Sequence, residues 1–350
     1  MWTTSLKVES LVLDTPSWNG HPGLQMTAKR YTAPFSEPEG LTLLFAHGIS
    51  AHKEQWEPTL QRVFYNQRFK AKHHRVREAW SFDWLNHGDA AELNKEKLQL
   101  RPPGNVSAAE WGFAIASFVR SLRTKGRRLV AFGHSAGAGA IMLSTKEFPP
   151  SRSPYIAIFL IEPSMLSREL WMTHLAEREL AMRKSMDAAL RRQHSWSTLE
   201  DAIAYFRQIR PWSFYDPKVL DVFKMYGFRT VSAGEGGEKT TRVVRKCSAQ
   251  HEAFAYADIE SHFEGVEQFA RICCTTPLHI VFGSKQDYIP SYFQDCVTNV
   301  SEGRIPASVV KIPGPGHVIV QEAPDALADG ICVGLNLINP SLHPASLYRL

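Results

Sequence analysis

Leu129-Val130-Ala131-Phe132-Gly133-His134-Ser135-Ala136-Gly137-Ala138-Gly139-Ala140 decides the fold. Four apolar residues read as a buried strand, the glycines flanking the serine as a tight turn, and the small residues after it as a helix packed close to that strand. Gly-x-Ser-x-Gly alone is a weak pattern. Between a strand and a helix it acquires a mechanical reason, because only glycine at those two places lets the elements approach so closely. The turn then presents the Ser135 hydroxyl at the carboxyl edge of a sheet, with the backbone N–H of Ala136 aimed into the same space. Ser135 is therefore a candidate nucleophile.

Outward from this turn, short apolar runs alternate with helical patterns. Leu6–Leu13 and Gln25–Tyr31 read as antiparallel entry strands, and Leu41–Ala46 as a strand buried on both faces. Arg75–Phe82 and Ile156–Ile161 are further strands, and Trp111, Ile115, Phe118, Val119 and Leu122 make one apolar helix face. From Pro163 to about Gln268 the alternation stops and helical spacing dominates, with a turn-rich loop at Ser232–Lys239. It resumes with strands Leu278–Phe282 and Ser308–Ile312 and helices near Tyr292–Val300 and Ala323–Leu337. The expected architecture is α/β: a mostly parallel sheet flanked by helices, in two core segments, 1–163 and 269–350, interrupted by an inserted helical lid at 164–268.

A nucleophilic serine needs a base from elsewhere in the chain. His317, in Pro313-Gly314-Pro315-Gly316-His317, follows the last strand in a glycine-flanked loop and is the candidate. His47-Gly48-Ile49 closes the third strand, where Ile49 N–H would join Ala136 N–H as an oxyanion hole, with His47 itself structural. Two carboxylates compete for the third place. Glu162 ends an apolar strand and needs a partner there, whereas Asp287 follows the strand Leu278–Phe282 one residue later than the usual spacing. Glu162 is preferred and Asp287 is the alternative.

The chain has 350 residues, 44% hydrophobic and 21% charged, the proportions of a globular protein rather than a disordered or fibrous one. A net charge of +5 from 40 basic and 35 acidic residues, spread along the chain, gives no basis for a nucleic-acid partner but suits an anionic substrate. Five late cysteines form no disulfide framework or metal pattern, and no His-Glu-x-x-His occurs, so neither metal nor cofactor is expected. No signal peptide pattern and no stretch of ~18 apolar residues is present, which predicts no membrane span and a cytoplasmic protein. The terminal Tyr348-Arg349-Leu350 partly matches a peroxisomal signal and leaves peroxisomal import as the alternative. The cluster from Arg120 to Arg128 reads as a solvated helix end rather than a phosphate site, and the aromatics Trp171, Phe206, Trp212, Phe214 and Tyr226 as core in preference to an acyl tunnel. Oligomeric state is not legible.

The elbow at Ser135, the preceding His-Gly turn, the insertion and the late Gly-His together resemble the α/β-hydrolase superfamily. Asp83-Trp84-Leu85-Asn86-His87-Gly88-Asp89, Ile161-Glu162-Pro163 and Cys247-Ser248-Ala249-Gln250-His251-Glu252-Ala253 are similar to stretches of fungal secondary-metabolite hydrolases of the AK-toxin type. More distantly they are similar to peroxisomal lipase-like proteins and to the acyl-CoA hydrolase of mycophenolic-acid biosynthesis, whose acid lies after the strand corresponding to that of Glu162. The resemblance implies a serine hydrolase cleaving an ester or thioester, such as an acyl-CoA or a polyketide or fatty acyl chain, through an acyl-enzyme. Two alternatives stay open: an acyltransferase or cyclase using the same residues, and a non-catalytic binding protein of the same fold.

Overall fold

The structure, a computed structural model, describes residues 5–102, 104–233 and 240–342. Most of the loop expected at Ser232–Lys239 and the terminal Tyr348-Arg349-Leu350 lie outside the described residues. Eleven strands occur among those described: β1 (Lys7–Asp14), β2 (Gln25–Thr32), β3 (Leu41–Ala46), β4 (Val76–Phe82), β5 (Arg128–His134), β6 (Tyr155–Ile161), β7 (Ser195–Trp196), β8 (Phe228–Ala233), β9 (Thr240–Arg245), β10 (Leu278–Gly283) and β11 (Ser308–Ile312). Eight make one sheet in the order β1-β2-β4-β3-β5-β6-β10-β11. The β1–β2 and β2–β4 pairs are antiparallel and the remainder parallel.

The continuous apolar runs occupy the middle of this sheet because both its faces are covered. Every residue of β3, β5, β6 and β10 is buried. Register aligns Phe45 with Phe132 and Phe132 with Phe159, and their rings stack at 4.4 and 4.7 Å. Burying each such ring contributes roughly 1.5–3 kcal/mol. Helices Ala108–Val119, Ala136–Ser144 and Ile259–Ile272 cover one face, and Glu57–Gln67 and Pro324–Leu335 the other. Ser107 starts the first of these, its hydroxyl accepting the N–H of Glu110 at 3.2 Å.

Between β6 and β10 the chain differs from the all-helical expectation. Helices Leu175–Arg191, Leu199–Phe206 and Pro217–Tyr226 are joined by a three-stranded antiparallel sheet, β7-β9-β8. β8 and β9 flank the turn-rich stretch and pair antiparallel. Trp196, Phe206, Trp212, Phe223 and Phe228 pack into a separate small core there. Of the aromatics considered for a tunnel, Phe206 and Trp212 belong to this core. Helix Ile259–Ile272 runs through the expected boundary at 268, and its Phe263, Val266 and Phe269 belong to the main core.

Candidate active site

β3, β5, β6, β10 and β11 are parallel neighbours, so the residues following them emerge at one edge, the usual place for ligands in such sheets. The turn after β5 is set by sterics. A Cβ at Gly133 would lie 2.4 Å from the Gly137 carbonyl oxygen, and one at Gly137 would lie 2.5 Å from the carbonyl oxygens of both Ala46 and His47. Between them Ser135 adopts φ 54°, a left-handed conformation that serine enters only when its surroundings enforce it. Its N–H donates to the Ile161 carbonyl at 3.0 Å, which anchors the turn to the neighbouring strand.

Ser135 Oγ lies 2.9 Å from His317 Nε2, and His317 Nδ1 lies 3.3 Å from Glu162 Oε2. With the proton on Nδ1, the imidazole donates to Glu162 and accepts the Ser135 hydroxyl. Glu162 is itself held in the left-handed region, at φ 46°, and Gly283 N–H donates to its Oε1 at 2.6 Å. Asp287 meets the same histidine at a different atom: its Oδ1 accepts the backbone N–H of His317 at 3.0 Å and that of Tyr288 at 2.8 Å. A Cβ at Gly316 would lie 2.3 Å from Asp287 Oδ2, so the glycine before His317 lets this carboxylate approach. The two candidate acids thus divide, Glu162 on the ring and Asp287 on the main chain.

Sequence reasoning does not single out His134, the residue between the first glycine and the serine. Its Nε2–H donates to the His317 carbonyl at 2.8 Å, so the histidine loop is tied through its N–H by Asp287 and through its C=O by His134. Burial lowers the His134 imidazole to about 3, which keeps it neutral. His47 is likewise lowered to about 4 by burial; its Nδ1–H donates to the Gly48 carbonyl and its Nε2 accepts Trp84 N–H at 3.1 Å. Among the described residues the N–H groups of Ile49 and Ala136 have no acceptor.

The Asp83–Asp89 stretch supports this edge from below. Asp83 accepts the backbone N–H of Lys53 and of Asp89 at 2.8 and 3.0 Å, and Thr27 Oγ1–H at 2.7 Å. Buried Lys53 Nζ meets Asp83 at 2.8 Å, Glu54 at 2.9 Å and Asp89 at 2.6 Å. Gly88, at φ 52°, is needed where a Cβ would lie 2.3 Å from the Asp83 carboxylate. Lys246 of the insertion joins the network, donating to Asp89 at 2.6 Å.

A cavity of about 290 Å3 opens over Ser135 and His317. Trp171, Met182, Ile259, Ile289 and Phe293 supply its apolar wall, and Arg178, Arg192 and Arg210 are its cations; no Asp or Glu lines it among the described residues. Of the aromatics considered for a tunnel, Trp171 and Trp212 reach this cavity. The cluster from Arg120 to Arg128 is engaged elsewhere: Arg120 pairs with Glu147, and buried Arg128 donates to the carbonyls of His73, Leu342 and Asn339. Among the described residues no group of three or more His, Cys, Asp or Glu is placed to hold a metal ion, all five cysteines are free thiols, and no helix is long and apolar enough to cross a membrane.

Residues 43–330 match the family model described as the alpha/beta hydrolase family. No curated protein matches the chain by sequence. Among solved structures, the peroxisomal alpha-beta-hydrolase Lpx1 from Saccharomyces cerevisiae superposes with a TM-score of 0.74 at 18% identity, covering 96% of this chain and 90% of its own. The thioesterase domain from the curacin biosynthetic pathway gives 0.60 at 16% identity, over 93% of this chain and 99% of its own. An esterase from Mycobacterium tuberculosis gives 0.62 at 14% identity, over 95% and 92%. At these identities the likeness is one of fold. The match over 43–330 agrees with the sheet order and the tight turn after β5, and the chain belongs to the alpha/beta hydrolase family.

Proposed function

We propose that the protein is a cofactor-independent serine hydrolase of esters or thioesters. The observation that carries this reading is the hydrogen-bonded line from Ser135 Oγ through His317 to Glu162 beneath the cavity. His317 Nε2 takes the Ser135 proton as Oγ attacks the acyl carbon, and the oxyanion is stabilised by the free N–H groups of Ile49 and Ala136. The C–O or C–S bond then breaks, and the leaving alkoxide or thiolate receives the proton from His317. Water repeats the sequence on the acyl-enzyme and releases the acid. Glu162 holds the imidazole tautomer and stabilises its cation, while Asp287 holds the loop.

Arg210, which has no ion pair among the described residues, and the lack of acidic lining support a substrate with an anionic group, such as the phosphates that an acyl-CoA carries at the far end of its pantetheine arm. The Asp83–Asp89, Ile161–Pro163 and Cys247–Ala253 stretches support a place among fungal secondary-metabolite hydrolases. A fluorophosphonate probe is expected to label Ser135 in the folded protein and to leave Ser135→Ala unlabelled. Absence of the adduct in folded protein would favour the binding-protein reading instead. Rates across acyl-CoA thioesters and neutral esters, with identification of the product as free acid, transferred ester or lactone, separate hydrolysis from transfer and cyclisation.

A further inference from the structure

The Cys247–Ala253 stretch has no part in the reaction just described, yet its Glu252 is completely buried and faces the turn after β3. Glu252 Oε1 accepts the Ser50 hydroxyl at 2.5 Å and Arg192 at 2.7 Å, and its Oε2 accepts Arg245. Arg245 also donates to the Ser50 carbonyl at 3.1 Å. Two residues of the insertion therefore grip Ser50, Glu252 of helix Ala249–Ala255 at its side chain and Arg245 at the end of β9 at its main chain, while Arg192, just beyond helix Leu175–Arg191, pairs with Glu252.

Ser50 is the neighbour of Ile49. The two are the central residues of a turn closed by Ala51 N–H to the Gly48 carbonyl at 3.3 Å, and Ser50 has φ 67°. Glycine is the usual residue where a turn requires positive φ, because a side chain there meets the backbone. A serine held in that conformation needs contacts from outside the turn, or the turn relaxes and carries the Ile49 peptide with it. The turn also abuts the nucleophile, since a Cβ on Gly48 would lie 3.1 Å from the Ser135 Cβ.

We infer that Glu252, with Arg192 and Arg245, is a positioning residue for the oxyanion hole: docking the insertion on the core and setting the Gly48–Ala51 turn are one event. The inference rests on the serine-hydrolase reading above. A lid that merely covered the substrate would need no buried carboxylate shared between two guanidinium groups and a hydroxyl of this turn. The shared carboxylate also has a cost when removed, because Arg192 and Arg245 then lose the anion they share in a buried site.

The test compares Glu252→Gln and Ser50→Ala with the unmodified protein in two readouts. For a short-chain ester, kcat is expected to fall at least about tenfold in both variants with KM within about threefold, the split expected when a group acts on the transition state and not on ground-state binding. A trifluoromethyl ketone, whose adduct with Ser135 carries an oxyanion, is expected to lose affinity by the same factor as kcat/KM, while the corresponding secondary alcohol, which forms no adduct, keeps its affinity. If Glu252→Gln fails to fold, Ser50→Ala carries the test, because it leaves both ion pairs in place. A folded Ser50→Ala with unchanged kcat, or equal losses for ketone and alcohol, overturns the inference. Failure of the unmodified protein to form the ketone adduct overturns the hydrolase reading, and the inference with it.

Discussion

Glu162 and Asp287 both touch His317, and the difference between them is a matter of which atom each reaches. Glu162 Oε2 is 3.3 Å from the ring Nδ1, whereas Asp287 Oδ1 is 3.0 Å from the backbone N–H. Substituting Glu162→Gln keeps the shape and removes the charge that favours the Nδ1–H tautomer, so kcat is expected to fall by roughly 10³–10⁴-fold with little change in KM. Asp287→Asn keeps an acceptor for the His317 N–H and is expected to cost about tenfold or less. Steady-state kinetics on the two variants checks the assignment, and a larger loss for Asp287→Asn would reverse it. Residue spacing raises this question without answering it. Glu162 was legible as an oddity, a carboxylate ending an apolar strand, and Asp287 as one residue off the usual place. Which oxygen faces the ring depends on the left-handed backbone at Glu162 and on the Gly283 N–H from an adjacent strand. His134 was not legible at all, since the partner of its Nε2–H is a carbonyl 183 residues away.

At the scale of elements, close backbone approaches fix the strand–turn–helix unit around Ser135. Gly137→Ala would place a methyl group 2.5 Å from two carbonyl oxygens, and both belong to backbone that cannot swing aside. Such a clash is expected to destabilise the fold by about 2–4 kcal/mol and to remove activity, measurable as a lower urea midpoint at unchanged m-value. Beneath the edge, Lys53→Met would leave Asp83 buried without its main counter-charge, a loss of about 3–5 kcal/mol by the same measurement. Both glycines were readable from the motif, because the reason for them is local. The three-stranded sheet in the insertion was not. β7 is two residues long, and β8 and β9 flank a stretch whose glycines and charges read as loop. The same segment's helical periodicities at Leu175–Arg191 and Pro217–Tyr226 dominate the pattern.

For the molecule as a whole, buried histidines set a pH dependence. His47 and His134, lowered by burial to about 4 and about 3, stay neutral in the folded state while their unfolded counterparts bind protons below about 6.5. The unfolded state then holds more protons, so stability is level above about pH 6.5. It falls as the pH drops, until about pH 4 for His47 and about pH 3 for His134. At pH 5 each contributes a loss of about 2 kcal/mol relative to pH 8, seen as a lower urea midpoint. His47→Gln is expected to remove its own share of about 2 kcal/mol, while buried His87 and His279, also lowered by burial, keep contributing in the same direction. What the sequence by itself determined lay at short range: the buried strands from their unbroken apolar runs and the tight turn from its glycines, with Ser135 and His317 singled out as candidates by chain order and their loops. Only the tertiary structure decided which carboxylate meets the imidazole, that His134 and Asp287 tie the histidine loop, and that Glu252 reaches Ser50 across 202 residues. These contacts are made between elements far apart in the chain. They depend on strand register, backbone sign and side-chain reach, none of which is encoded in a local pattern of residue types.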